Sequence, residues 1–137
     1  MHRNRLSEAK SLVEQLTASP KYHYSNLKPS ILVDGLPVVY AIFDKNTGET
    51  LYVGRTKNLR RRLYTNHLMG PRANARLKKY LMDDPSMSEI ETIEQAKQYL
   101  KDHCYFQYIE EGDMRKRGQL EGLFGFLLDV RYIHEEH

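Results

Sequence analysis

VVYAIFDKNTGETLYVGRTKNLRRRL, residues 38–63, is the stretch whose reading decides the fold. Its first six residues, VVYAIF, are mostly β-branched or aromatic, which suits a pleated, half-buried strand. Asp44-Lys45-Asn46-Thr47-Gly48 supplies turn chemistry, and Leu51-Tyr52-Val53 resumes the strand pattern, so a hairpin is expected. Gly54 then breaks the strand, and Asn58 is placed to cap a helix that carries Arg60, Arg61 and Arg62. If the hairpin closes around Asn46-Thr47-Gly48, Tyr40 and Tyr52 share a phase and can point to one face, beside the arginine row.

Outward from this centre the chain reads as short alternating elements. Leu6, Leu12, Val13 and Leu16 have the spacing of an amphipathic helix over about residues 6–17. It is expected to pack on the domain, with a dimer or partner helix as the alternative. Residues 18–30 form a connection, in which Tyr22 and Tyr24 either stack on bases or tack the loop to the core. Ile31-Leu32-Val33, Asp34-Gly35 and the apolar run from Leu36 suggest a second tight hairpin, with Pro37 delaying the strand. Ala73, Leu77, Tyr80 and Leu81 line one face of a helix that Asp83-Asp84-Pro85-Ser86 ends. A further helix starts near residues 89–92 and presents Ile93, Ala96, Lys97 and Leu100. Residues 104–109, CYFQYI, read as a strand, and Leu120, Leu123, Phe124, Leu127 and Leu128 mark the apolar stripe of a last helix.

The 137 residues make one domain by length, without a disulfide or metal staple, and the division expected is 1–30 for the N-terminal helix and connection and 31–137 for the domain proper. The single cysteine, Cys104, is expected to be a half-buried thiol in a reducing compartment. No window approaches the ~20 apolar residues of a membrane span, and MHRNRLSEAK has no apolar core behind its charges, so a cytoplasmic protein is expected. No nucleotide cofactor is expected. The net charge is only +3, yet between Arg55 and Leu81 there are nine Lys or Arg residues and no Asp or Glu. From Asp83 to Asp113 the balance reverses, with nine acids against Lys97 and Lys101. A solvated face mixes signs, so this segregation favours one side turned to a polyanion.

At the central stretch the chain resembles the GIY-YIG nuclease family, named for two short motifs on adjacent strands. Tyr52-Val53-Gly54 keeps the second motif nearly intact, and Val38-Val39-Tyr40 keeps the tyrosine of the first but not its leading glycine. The family's helix arginine maps to Arg62, and its metal-binding glutamate, preceded by leucine, maps to Glu121 in RGQLEGLF. The likeness covers roughly residues 36–132. It implies an α+β fold with a three-stranded, mostly antiparallel sheet flanked by helices, and an endonuclease hydrolysing DNA phosphodiesters with Mg²⁺ or Mn²⁺. It also implies importance for both tyrosines, and a histidine about one turn after the arginine, which one residue of slippage maps to His67. Many members end the core with an asparagine after a tyrosine. Here Ile133 follows Tyr132 and cannot make those polar contacts.

Each of these residues suits a need of the reaction. Phosphodiester hydrolysis requires an oriented water, neutralised non-bridging oxygens and a stabilised leaving oxygen. The guanidinium of Arg62 offers forked donors for two phosphate oxygens. Arg55, Lys57, Arg60, Arg61, Lys78 and Lys79 suit non-specific contacts to the nucleic-acid backbone. One carboxylate, Glu121, with retained waters is ordinary for Mg²⁺; a plain ion pair with Arg117 is the alternative. Gly118, Gly122 and Gly125 cost ~0.8–1 kcal/mol each in a helix, so close packing or room for a hydrated ion should offset them. A tyrosine hydroxyl titrates near ~10, so Tyr40 or Tyr52 as a base needs a cation to lower that value, whereas orienting the water does not. His67 is either an acid or base or a free surface histidine. Two further readings stand beside the endonuclease: a nucleic-acid-binding module on the same scaffold with little or no cleavage, and an interaction domain using the acidic segment. Dimerisation to cut both strands is an open expectation.

Overall fold

The computed structural model describes residues 2–71 and 76–133. Arg72 and Ala73, read above as part of the basic stretch and of a helix face, lie outside the described residues. The helices are α1 (His2–Ala18), α2 (Arg61–Leu68, a wide π-helix entered through a turn at Leu59), α3 (Arg76–Asp83), α4 (Ile93–His103) and α5 (Met114–Leu127). The strands are β1 (Tyr22–His23), β2 (Val38–Asp44), β3 (Thr50–Thr56) and β4 (Cys104–Glu110). They form one antiparallel sheet in the order β1-β4-β2-β3. The fold is therefore the expected α+β, with four strands rather than three. The extra strand is two residues long and is defined by pairing Tyr22 with Phe106 and His23 with Tyr105, a tertiary contact that no local pattern announces.

Strand β2 lies between β3 and β4, and all seven of its residues are buried, which is why it is apolar without alternation. Tyr40 and Ile42 face the larger core with Phe106, Leu59, Leu63, Leu77 and Leu100, beneath α2, α3 and α4. Val39, Ala41 and Phe43 face the other layer, where Leu16 of α1 and Leu120 and Phe124 of α5 cover them. Gln107 of β4 donates to the carbonyls of Thr17 and Ser19, fixing the end of α1 on the sheet. Cys104 is fully buried rather than half-buried, and burial pushes its thiol well above the usual range. Among the described residues no helix is long and apolar enough to cross a membrane.

Local chemistry sets the ends of these elements. Thr92 and Gln95 form a reciprocal capping box at the start of α4. Asp113 accepts from the Lys116 N–H at the start of α5. Asn58 accepts from the Arg61 N–H at 3.3 Å, so it does cap the arginine helix.

The second hairpin is corrected. Ile31 ends a 3₁₀ turn, and Asp34-Gly35 does turn the chain, with Gly35 at φ +75°, but residues 31–33 form no strand. The turn is bound by a distant segment instead. Asn58 accepts from the Gly35 N–H and donates to Asp34, and the Leu59 N–H donates to the Leu36 carbonyl. Tyr22 stacks on Phe106 and Tyr108, and Tyr24 is buried, so both serve the core rather than a nucleobase.

Candidate active site

The register of the hairpin pairs Ile42 with Tyr52 and Tyr40 with Gly54. Tyr40 and Tyr52 are therefore diagonal neighbours on one face, with ring centroids 6.2 Å apart and nearly parallel planes. A Cβ on Gly54 would sit 2.5 Å from Cζ of Tyr40 and closer still to its oxygen, so the bare backbone of β3 is what lets the Tyr40 ring cross it. The Tyr40 hydroxyl meets Nε2 of His67 at 2.7 Å and accepts from Nε of Arg62 at 3.3 Å. Arg62 also lies against Tyr52.

Burial, then the neighbouring Tyr52, raises Tyr40 far above an ordinary phenol, although Arg62 pulls the other way. A base role would need that value lowered, so the site leaves Tyr40 protonated. His67 is fully buried, not a free surface histidine. Burial, then the cations Arg62, Lys78 and Arg76, holds its imidazole well below the usual range and neutral. Its Nδ1 has no hydrogen-bond partner among the described residues.

Glu121 stands on the opposite layer, on α5, and reaches the same cleft around the open edge of the sheet. That cleft, about 670 Å³, brings together Tyr40, Tyr52, Arg62 and Glu121 with Arg55 and Tyr80. The alternative pairing of Glu121 with Arg117 does not occur, because Arg117 is buried and donates to the carbonyls of Glu111 and Gly112. Nε of Arg55 lies 3.9 Å from Glu121 instead, a long and half-exposed ion pair of small worth. Two of the α5 glycines are accounted for. A Cβ on Gly118 would fall on the Arg55 guanidinium, whereas one on Gly122 would meet nothing within 4 Å and would project into open cleft.

The cationic residues separate into two groups. Arg55, Lys57, Arg61 and Lys79 are exposed. Arg55, Arg61 and Arg62, with Thr56 and Asn66, line a second recess beside the cleft. Lys78, expected to contact nucleic acid, is 1% exposed and donates to the carbonyls of Leu68 and Gly70 at the end of α2, and burial lowers its pKa to about 8. Arg60 is half-buried and donates to the Leu32 carbonyl at 3.0 Å, which ties it to the preceding loop.

The tail completes the cleft. The N–H groups of Arg131 and Tyr132 donate to the carbonyls of Thr50 and Leu51 on β3. Tyr132 stacks on Tyr80 with centroids 5.5 Å apart, and Ile133 also lines the cleft. In the sequence Tyr80 marks only a helix face, and Phe126 lies outside every pattern described above. The signal for Phe126 was present: it falls off the 120, 123, 124, 127, 128 stripe, so a large apolar side chain is turned away from the core.

Among the described residues no cluster of three His, Cys, Asp or Glu side chains is set to share a metal. A single carboxylate beside open space nonetheless fits a hard, largely hydrated cation such as Mg²⁺. Compared with curated proteins and with solved structures, the chain gives no match. The model of the GIY-YIG catalytic domain matches residues 36–121. That span begins just before β2 and ends on Glu121, taking in both tyrosines, Arg62 and the edge of the sheet around which they meet; the chain belongs to the GIY-YIG nuclease family.

Proposed function

We propose that the protein is an endonuclease that hydrolyses DNA phosphodiester bonds at the cleft beside β3, in the cytoplasm. The observation that carries this reading is the convergence of Arg62 and Glu121, from opposite faces of the sheet, on one cleft floored by Gly54 and Gly122. Tyr40 engages Nε of Arg62 and Tyr52 lies against the same guanidinium, so the two tyrosines hold it while its remaining N–H donors meet the non-bridging oxygens. Tyr40 is thus a positioning residue. The hydrogen bond between its hydroxyl and Nε2 of His67 locks the ring, a role that suits a neutral imidazole better than acid or base work does. Tyr52, the less deeply buried of the pair, orients the attacking water. Glu121 would hold Mg²⁺ or Mn²⁺, which supplies charge neutralisation at the reacting phosphate. Arg55, Lys57, Arg61 and Lys79 hold the backbone on either side.

The test is cleavage of plasmid, single-stranded and branched DNA with Mg²⁺ or Mn²⁺, with binding followed in the same samples. Wild type should cut, and Glu121→Gln and Arg62→Ala should lose cleavage by at least about 100-fold while Glu121→Gln still binds. Binding without any cleavage by wild type would refute the endonuclease and select the binding module, a reading favoured by Ile133 at the cleft wall. Sedimentation of the protein on DNA tests a homodimer; a monomer at cutting concentrations removes it.

A further inference from the structure

The cleft has an apolar wall that phosphate chemistry does not use. Phe126 is 84% exposed and Ile133 68% exposed, and both line the cleft that holds Glu121 and Arg62. On α5, Glu121 and Phe126 flank a floor made by Gly122 and Gly125, where the backbone is bare. The wall is held in place: the tail is hydrogen-bonded to β3, Tyr132 is stacked on Tyr80, and the Tyr132 hydroxyl donates to Asp84 at 2.7 Å. A largely exposed aromatic on the same cleft as the candidate phosphate-binding groups presents a flat apolar surface beside an anion site.

In a DNA duplex the flat faces of the bases are buried in the stack, so such a wall finds no partner there. An unpaired nucleotide offers both parts at once, a phosphate for Arg62 and a free π-face for Phe126. The second recess, with Arg55, Arg61 and Asn66, adjoins the cleft and suits the next phosphate along the same strand. We infer that the cleft selects unpaired DNA, with Phe126 stacking the base of the nucleotide whose phosphate lies at Arg62 and Glu121. This rests on the reading of the cleft as the phosphate site.

The chain contains no tryptophan, so Phe126→Trp places a single reporter on the wall. Binding is measured in the Glu121→Gln background, which keeps the DNA intact, using a fluorescent single-stranded oligonucleotide, a blunt duplex of the same sequence, and that duplex carrying one unpaired nucleotide. The expected result is quenching of the reporter by the single strand and by the unpaired nucleotide, and none by the blunt duplex. Phe126→Ala should weaken binding of the single strand by about 5- to 150-fold, the loss of one base stack, and of the duplex by less than about 2-fold. The side chain is exposed, so a urea melt matching wild type checks that the variants fold. Equal losses on single strand and duplex, or no quenching while DNA binds, would overturn the inference and leave the nuclease reading standing. A reporter signal that changes with protein concentration alone would mean that a second copy covers Phe126, and would overturn it too. No binding to any DNA would overturn both.

Discussion

Gly54→Ala should be among the most damaging single-methyl changes in the chain. The new carbon would sit 2.5 Å from Cζ of Tyr40, about 1 Å inside the ~3.5 Å at which carbon atoms pack. Tyr40 cannot yield, because it is fully buried with its ring against Tyr52 and His67 and its hydroxyl held by His67 and Arg62. Overpacking costs about 1–3 kcal/mol. A displaced hydroxyl that leaves buried partners unsatisfied adds about 1–3 kcal/mol. The smaller entropy of the unfolded alanine chain returns about 0.4–1 kcal/mol. The net loss is about 1–6 kcal/mol, against a total stability of about 5–15 kcal/mol for a domain. Urea unfolding of wild type, Gly54→Ala, Tyr40→Ala and the double variant measures it. With the ring gone, alanine at position 54 should be nearly neutral, so the coupling between the two positions should match the Gly54→Ala loss, about 1–6 kcal/mol. Gly122→Ala is the control: nothing lies within 4 Å, so it should stabilise α5 by about 0.8–1 kcal/mol. A Gly54→Ala midpoint equal to wild type, or additive effects in the cycle, would refute the packing argument.

Three further expectations concern charge. Arg61→Ala and Lys79→Ala should each reduce the slope of log binding constant against log salt by about 0.9, whereas Lys78→Met should leave it unchanged, since that amine caps α2; anisotropy titrations decide. His67 is held neutral when folded, while its unfolded imidazole takes a proton near ~6.5, so the unfolded state binds more protons below that value. Stability should therefore fall as pH drops from 7 to 5, by up to about 1.4 kcal/mol per unit, and the slope should flatten in His67→Gln; parallel slopes would reject the assignment. Tyr40→Phe should lower cleavage through a loosened Arg62, and the defect should appear as weaker response to Arg62→Ala in the double variant; full additivity would place Tyr40 elsewhere in the reaction.

What could be read from the sequence was what is decided locally. The hairpin and the shared face of Tyr40 and Tyr52 follow from a period of two and one turn, and the register bears them out despite an irregularity between Ile42 and Phe43. The start of α4 was legible to within a few residues, near 89–92, and the capping box of Thr92 and Gln95 fixes it at Ile93. What was not legible depends on distant partners. Lys78 looks like any member of the basic stretch until the carbonyls of Leu68 and Gly70 are placed above it. Ile31-Leu32-Val33 has strand composition, yet the turn after it is bound by Asn58, so no partner strand is available. The arginine helix was expected, but its wide π form was not, and neither was the burial of His67 behind Tyr40.

The same limit applies to the tail, and it makes the last expectation the most informative about the cleft. Residues 131–133 contain no strand or helix signal, but Arg131 pairs with Glu49 at 3.2 Å and with Asp84 at 2.7 Å, and Tyr132 donates to the same Asp84 carboxylate. Burial works against the charge on Asp84, yet the hydrogen bonds from Tyr132, Ser86 and Arg131 outweigh it and hold the carboxyl well below its usual range. The turn after α3 and the hairpin turn before β3 therefore clamp the tail between them. Asp84→Asn removes the charge and weakens three of these bonds without emptying the space. It should cost about 1–3 kcal/mol of stability, and it should free the wall that carries Tyr132 and Ile133. Affinity for single-stranded DNA should then fall while duplex affinity holds, because the candidate phosphate-binding side chains Arg62 and Arg55 are untouched by the change. Hydrogen exchange at the Arg131 and Tyr132 amides reports the clamp directly: protection as strong as in wild type would show that the β3 carbonyls alone hold the tail, and that Asp84 has no part in shaping the cleft.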